Sequence, residues 1–172
     1  QYKTLKTEGN YNNNIGLPLT ILRLKDEEVM ILEMGMNHLN EMEELSRIAC
    51  PDISAITNVG TAHIGELGSR ENILKAKLEI VAGMSDGSTL VINGDNDMLS
   101  TVRFDNFKVV KVGVDCAAVF KAEKVILMDD HSEFTINYNG KVYQVVVPVP
   151  GNHFVLNALV AIAIGINLEI PM

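Results

Sequence analysis

Residues 28–34 contain an unbroken apolar run, Val29-Met30-Ile31-Leu32, which is the pattern of a strand buried on both faces of a parallel sheet. Asn40 then reads as the cap of a helix whose Met42, Leu45, Ile48 and Ala49 recur at three- and four-residue spacing and which ends before Pro51. Residues 53–57 read as a second strand, and Ser69 as the cap of a second helix with Glu71 and Asn72 in its first turn, running to Gly83 or Met84. Residues 88–92 form a third strand, closed by the turn at 93–97, and a short helix from Asp97 leads to a fourth strand at 108–114. This alternation predicts an α/β fold, a mostly parallel sheet with right-handed crossovers and flanking helices.

After Cys116 the pattern changes. Residues 133–138 and 141–147 alternate around Asn139-Gly140, a strong signal for a tight hairpin. The expectation is a small antiparallel β unit near the C-terminal part, followed by Pro148, Pro150 and a final helix from about Asn152.

The 172 residues suit a single domain, 1–172, and 47% hydrophobic with 21% charged residues reads as globular. A net charge of −8 argues against a nucleic-acid binder, which needs clustered Lys and Arg. Nucleotide binding through backbone N–H groups and magnesium stays open. Cys50 and Cys116 are the two cysteines and form no CxxC pair, so neither a zinc site nor a disulfide framework is suggested, and a reducing cytoplasm is expected. The most apolar stretch, 154–168, is interrupted by Asn157, Gly165 and Asn167, and reads as a buried helix, without membrane insertion. Gln1 is expected to be a cut end, having neither an initiator Met nor a signal pattern.

Three side chains stand out chemically. Glu33 lies at the carboxyl end of the first predicted strand, where open α/β sheets place their ligand crevice; a solvated turn residue is the alternative. His63, in Asn58-Val59-Gly60-Thr61-Ala62-His63, holds the equivalent place after the second strand, so the two are expected on one edge of the sheet. Magnesium prefers oxygen ligands and takes one or two carboxylates beside phosphates, a role open to Glu33. Lys77 falls on the same helix face as Ile73, Ile80, Val81 and Met84, a lysine inside an apolar stripe. Its ammonium can snorkel to water, or burial can favour a reactive neutral amine. Asn10, Asn12, Asn13 and Asn14 offer amide donors and acceptors on a loop where Gly9 and Gly16 permit unusual backbone angles.

The run Thr7-Glu8-Gly9-Asn10-Tyr11-Asn12-Asn13-Asn14-Ile15-Gly16-Leu17-Pro18, with Glu33, His63 and the segment around Lys77 in that order, resembles the Mur ligases, ATP-dependent amide-bond ligases of bacterial cell-wall synthesis. The resemblance implies a fragment of the central, ATP-binding domain. In this view an N-terminal substrate domain and a C-terminal domain lie outside the chain, as does the phosphate-gripping P-loop, since no GxxxxGKS or GxxxxGKT segment occurs. The implied substrates are ATP, UDP-N-acetylmuramoyl-tripeptide and D-alanyl-D-alanine, joined through an acyl phosphate by a monomeric cytoplasmic enzyme, with the isolated piece inactive. The implied metal site holds two Mg2+ ions on Glu33, His63 and a Lys77 carrying a carbamate formed with carbon dioxide. Asn12 and Asn13, with Thr7, would line the sugar-nucleotide site. The segment Pro150-Gly151-Asn152-His153-Phe154-Val155-Leu156-Asn157 resembles the family's GxHNxxNAxAA pattern, which assigns His153 and Asn157 to the nucleotide, although Phe154 stands where Asn is commoner. Another Mur ligase, a folylpolyglutamate synthetase-like ligase and a non-catalytic nucleotide-binding domain are the competing readings.

Overall fold

The computed structural model describes residues 2–172; the reading of Gln1 as a cut end lies outside them. The chain forms two compact units, one running through Ser54 and including Gly60–Ser88, the other made of Ala55–Val59 and Thr89–Met172.

The first unit holds two short parallel strands, β1 (Thr4–Lys6) and β2 (Val29–Ile31), in the register Thr4↔Val29 to Lys6↔Ile31. Around them lie α1 (Gly16–Ile21), α2 (Glu41–Ala49), α3 (Ile64–Leu67) and α4 (Arg70–Leu78), followed by a 3-10 turn, Glu79–Gly83. Leu17, Met42, Leu45, Ile73 and Ala76 are buried. The predicted strand is shorter and wetter than expected. Among the described residues β2 pairs only with β1, and Ile31 is 60% exposed. β1 escapes sequence reading because Leu5 is the one buried residue in three, too little to show a period.

Helix α2 begins at the expected place by a different device. Asn40 is left-handed, with φ 73°, and its side chain makes no capping bond. Its backbone N–H instead donates to Glu79 Oε2 at 2.8 Å. Ile48, expected on the apolar face, is 42% exposed, whereas Ser46 is fully buried. Ser69 caps α4 as predicted, its Oγ accepting from Asn72 N–H at 3.2 Å. The long helix expected from there to Gly83 tightens into 3-10 geometry at Glu79.

A second sheet has six strands that follow chain order, all but the first half of β3 belonging to the second unit: β3 (Ile53–Ile56), β4 (Thr89–Asn93), β5 (Lys108–Gly113), β6 (Phe120–Leu127), β7 (Ser132–Tyr138) and β8 (Lys141–Val147). β4–β5 and β5–β6 are parallel, while β6–β7 and β7–β8 are antiparallel. All of β4 is buried, matching its continuous apolar run. The short helix expected from Asp97 is a 3-10 turn, Leu99–Thr101, whose start is held by Asn96 Oδ1 accepting from Met98 and Leu99 N–H. β6 was not anticipated, because Lys121, Glu123 and Lys124 break its apolar pattern and its register shifts between Glu123 and Ile126, where Lys124 has φ 52°. The hairpin forms as predicted: Asn139 and Gly140 both take positive φ, 52° and 75°, the geometry that matches strand twist. α5 (Asn152–Asn167) buries Val155, Leu159, Val160 and Ala163 and packs on β4 to β7. Among the described residues no helix is long and apolar enough to cross a membrane.

Asp95 fastens the turn after β4 to the end of β5, accepting from the N–H groups of Val114 at 2.6 Å, Asp115 at 3.1 Å and Cys116 at 2.8 Å. Burial opposes its charge, but these donors prevail and its pKa falls below the ordinary value. Burial and then Asp95 push the Cys116 thiol up to about 11, which keeps it protonated and unreactive at neutral pH.

At the β6–β7 turn the His131 ring lies between Asp130, with Nδ1 2.5 Å from Oδ1, and Glu133, with Nε2 3.3 Å from Oε1. Hydrogen bonding to Asp130, then to Glu133, raises its pKa above 6.5. A raised folded pKa gives stability that is complete below the unfolded value and lost as pH rises through the folded one. Thermal melting of His131→Gln is therefore expected to fall below that of the parent at about pH 5.5 and to approach it at about pH 9. Equal losses at both pH values would mean that the ion pairs do not act.

Candidate functional site at the Asn-rich loop

Local hydrogen bonds shape the loop between β1 and α1. Asn13 Oδ1 accepts from the N–H groups of Ile15 at 3.1 Å and Gly16 at 2.8 Å, an Asx turn that starts α1. Gly16 has no room for a side chain, since a Cβ there would lie 2.5 Å from Tyr11 Cα.

The same loop is fastened to the segment after β2. Thr7 N–H donates to Ile31 C=O at 3.0 Å, and Thr7 Oγ1 accepts from Glu33 N–H at 2.9 Å. Asn12 Nδ2 donates to Glu33 Oε1 at 2.8 Å, while Gly35 N–H donates to Asn12 C=O at 2.8 Å. A Cβ on Gly35 would sit 2.9 Å from Asn12 Nδ2, so the approach needs glycine. Thr7, Asn12 and Glu33 thus form one bonded set. Glu33 is exposed and its Oε2 has no hydrogen-bond partner among the described residues.

Beside this set is a cavity of about 400 Å³ lined by Asn12, Asn13, Asn14, Glu41, Glu44 and His63, among others. His63 precedes α3 with φ 63°; its carbonyl accepts from Leu67 N–H at 3.0 Å, and its exposed ring is left for other contacts. Glu41 was missed from sequence. Its Oε2 accepts from Asn37 N–H at 2.6 Å and His38 N–H at 3.2 Å. Those bonds, Asn37 first, keep its carboxylate below the usual range, with His38 and His63 adding to the effect. Its place in the first turn of α2, after a short loop, was the available signal.

Glu33 and His63 were expected on one sheet edge. β2 and β3 belong to separate sheets instead, because β2 pairs only with β1. Lys77 is half-buried on α4, next to buried Ala76, and does not line the cavity. Its ammonium has no hydrogen-bond or ion-pair partner among the described residues, and burial alone lowers its pKa below 10.5. His153 and Asn157 lie in the second unit, both exposed on α5, with His153 against Phe154 at a ring separation of 4.1 Å. Among the described residues, no group of three or more His, Cys, Asp or Glu could hold a metal ion. One carboxylate, one imidazole and a bare amine make a poor magnesium set.

An Asn-rich loop beside a strand-end carboxylate, on an α/β scaffold, frames a polar cavity of ligand size. The chain belongs to the Mur ligase family: residues 1–165 match the Mur ligase middle domain. Over 166 residues it is 40% identical to the UDP-N-acetylmuramoyl-tripeptide--D-alanyl-D-alanine ligase of Bacillus subtilis, covering 96% of this chain and 35% of that protein. The crystal structure of MurF from Acinetobacter baumannii superposes with a TM-score of 0.93 at 29% identity, over 99% of this chain and 38% of that one. MurF of Thermotoga maritima in complex with ADP shares the fold, with a TM-score of 0.90 at 24% identity over 100% of this chain and 40% of that one. The chain spans about a third of the length of the curated relatives it matches.

Because Asn13 Oδ1 serves two backbone donors, Asn13→Ala is expected to lower stability by about 1 kcal/mol, as for loss of a helix cap. Urea unfolding at neutral pH checks it, and an unchanged midpoint would overturn it.

Proposed function

We propose that the chain is the central portion of an ATP-dependent ligase that joins D-alanyl-D-alanine to UDP-N-acetylmuramoyl-tripeptide. Similarity to the Bacillus subtilis ligase, 40% identical across 96% of the chain, supports this assignment. The observation that carries it is the clasp of Thr7 and Asn12 on Glu33, beside a cavity shared by Asn12, Asn13 and His63.

In the proposed reaction the tripeptide carboxylate attacks the γ-phosphate of ATP, releasing ADP, and the amine of D-alanyl-D-alanine then displaces phosphate from the acyl phosphate. The two anions must be brought together in a site that offsets their repulsion. Two magnesium ions, when bound, would supply that charge. Glu33 Oε2, His63 and a carbamate on Lys77 are the proposed holders. Asn12 Nδ2 orients Glu33, which leaves Asn12 Oδ1 as an acceptor for the sugar nucleotide. With Asn13 Oδ1 committed to the start of α1, its Nδ2 is the group left for substrate. His153 and Asn157 are proposed to contact the nucleotide base. The P-loop, an N-terminal substrate domain and a C-terminal domain are assigned to the rest of the enzyme, which acts as a monomer in the bacterial cytoplasm.

In the full-length enzyme Lys77→Ala is expected to reduce ligation by roughly 100-fold or more, the scale of losing a main charge-stabilising group, with partial rescue by added short carboxylates. Unchanged turnover would sink the role of Lys77. Exchanging Asn12 and Asn13 together for Ala should weaken sugar-nucleotide binding more than ATP binding in calorimetric titrations, and equal losses would count against the assignment of the loop.

A further inference from the structure

One buried hydroxyl, used by nothing above, connects the helix that lines the cavity to the turn that follows Lys77. Ser46 lies on α2, is fully buried, and is flanked by Leu45, which lines the cavity. Its Oγ donates to Ile80 C=O and accepts from Gly83 N–H at 3.0 Å, so both its donor and an acceptor lone pair are used in the same 3-10 turn. Gly83 belongs to this fit: a Cβ there would lie 2.0 Å from the Ser46 carbonyl oxygen and 2.7 Å from its Oγ. A second tie runs parallel, from Asn40 N–H at the start of α2 to Glu79 Oε2. Lys77 sits two residues before Glu79, at the point where α-helix gives way to 3-10.

We propose that Ser46, with Gly83 as its close-fitting partner, is a positioning residue that fixes the end of α4 against α2 and thereby sets where the Lys77 amine stands relative to the substrate cavity. A hydrophobic contact alone would let the turn slide along α2. A hydroxyl that both donates to one carbonyl and accepts from one N–H specifies a single register, and its loss leaves two backbone groups without their partners. The inference rests on the proposed role of Lys77 in ligation.

The test uses the full-length enzyme with Ser46→Ala. Turnover is expected to fall about tenfold to 100-fold, the cost of a small misplacement, while KM for the sugar nucleotide stays within about twofold. The second readout is independent of turnover: competitive acetylation of Lys77 at a single fixed pH, followed by mass spectrometry with exposed Lys75 as internal reference. In the parent, half-buried Lys77 is expected to label more slowly than exposed Lys75, and in Ser46→Ala that gap should narrow. Should Ser46→Ala fail to fold, Ser46→Cys keeps the size with a weaker donor and is expected to shift both readouts in the same direction. A folded variant with unchanged turnover and an unchanged Lys77 labelling rate would overturn the inference. Lys77→Ala, measured alongside, separates the two failures: if it stays active, the ligation role of Lys77 falls and the inference with it, whereas if it is inactive and Ser46→Ala is silent, only the inference about Ser46 falls.

Discussion

The close approach of Asn12 to the Glu33–Gly35 segment governs the geometry of the first unit's site. Two segments that are 21 residues apart meet through one side-chain bond and one backbone bond, and the meeting is possible only because Gly35 lacks a Cβ. From that contact several consequences follow. Glu33 has one oxygen committed and one free, Asn13 is set to start α1, and the Asn-rich loop becomes a wall of the cavity. A charged acceptor strengthens the Asn12 bond relative to a neutral pair, and Thr7 shares the load by accepting from Glu33 N–H.

Elements whose signals are local were legible in the sequence. β4 is a continuous apolar run, and a fully buried strand needs nothing more. Asn139-Gly140 fixed the β7–β8 hairpin because few other dipeptides accept two successive positive φ angles. Ser69 has a cap's chemistry and a cap's surroundings. Elements that depend on distant partners were hidden. β1 is three residues long and exists through its pairing with β2, and β6 carries charges where its bulge turns the strand. Asn40 looked like a cap, yet its backbone N–H bonds to Glu79, 39 residues away.

The site divides along the same line. The types of residue were readable: a carboxylate after a strand, a histidine after the next, a lysine in an apolar stripe. Their connections were not. That Asn12 holds Glu33, that Glu41 caps the loop at Asn37 and His38, and that Ser46 is buried while Ile48 is exposed on α2 are facts of tertiary contact, invisible to periodicity. Serine in a helix reads as a polar surface position until both of its hydrogen-bonding functions are seen to be used.

Lys77 and Asp95 show how burial leads to opposite chemistry in two groups. Desolvation penalises the charged form of both groups. Asp95 answers with three backbone donors, which outweigh that penalty, hold it ionised, and make it a structural fastener. Lys77 has no such answer: among the described residues no carboxylate or carbonyl bonds to its ammonium, so the neutral amine gains at the expense of the cation. A salt bridge to Lys77 would have made α4 more stable and its amine less reactive. Burial without a partner is thus what separates this lysine from an ordinary surface one, and the register of α4 is the means by which the fold places its amine.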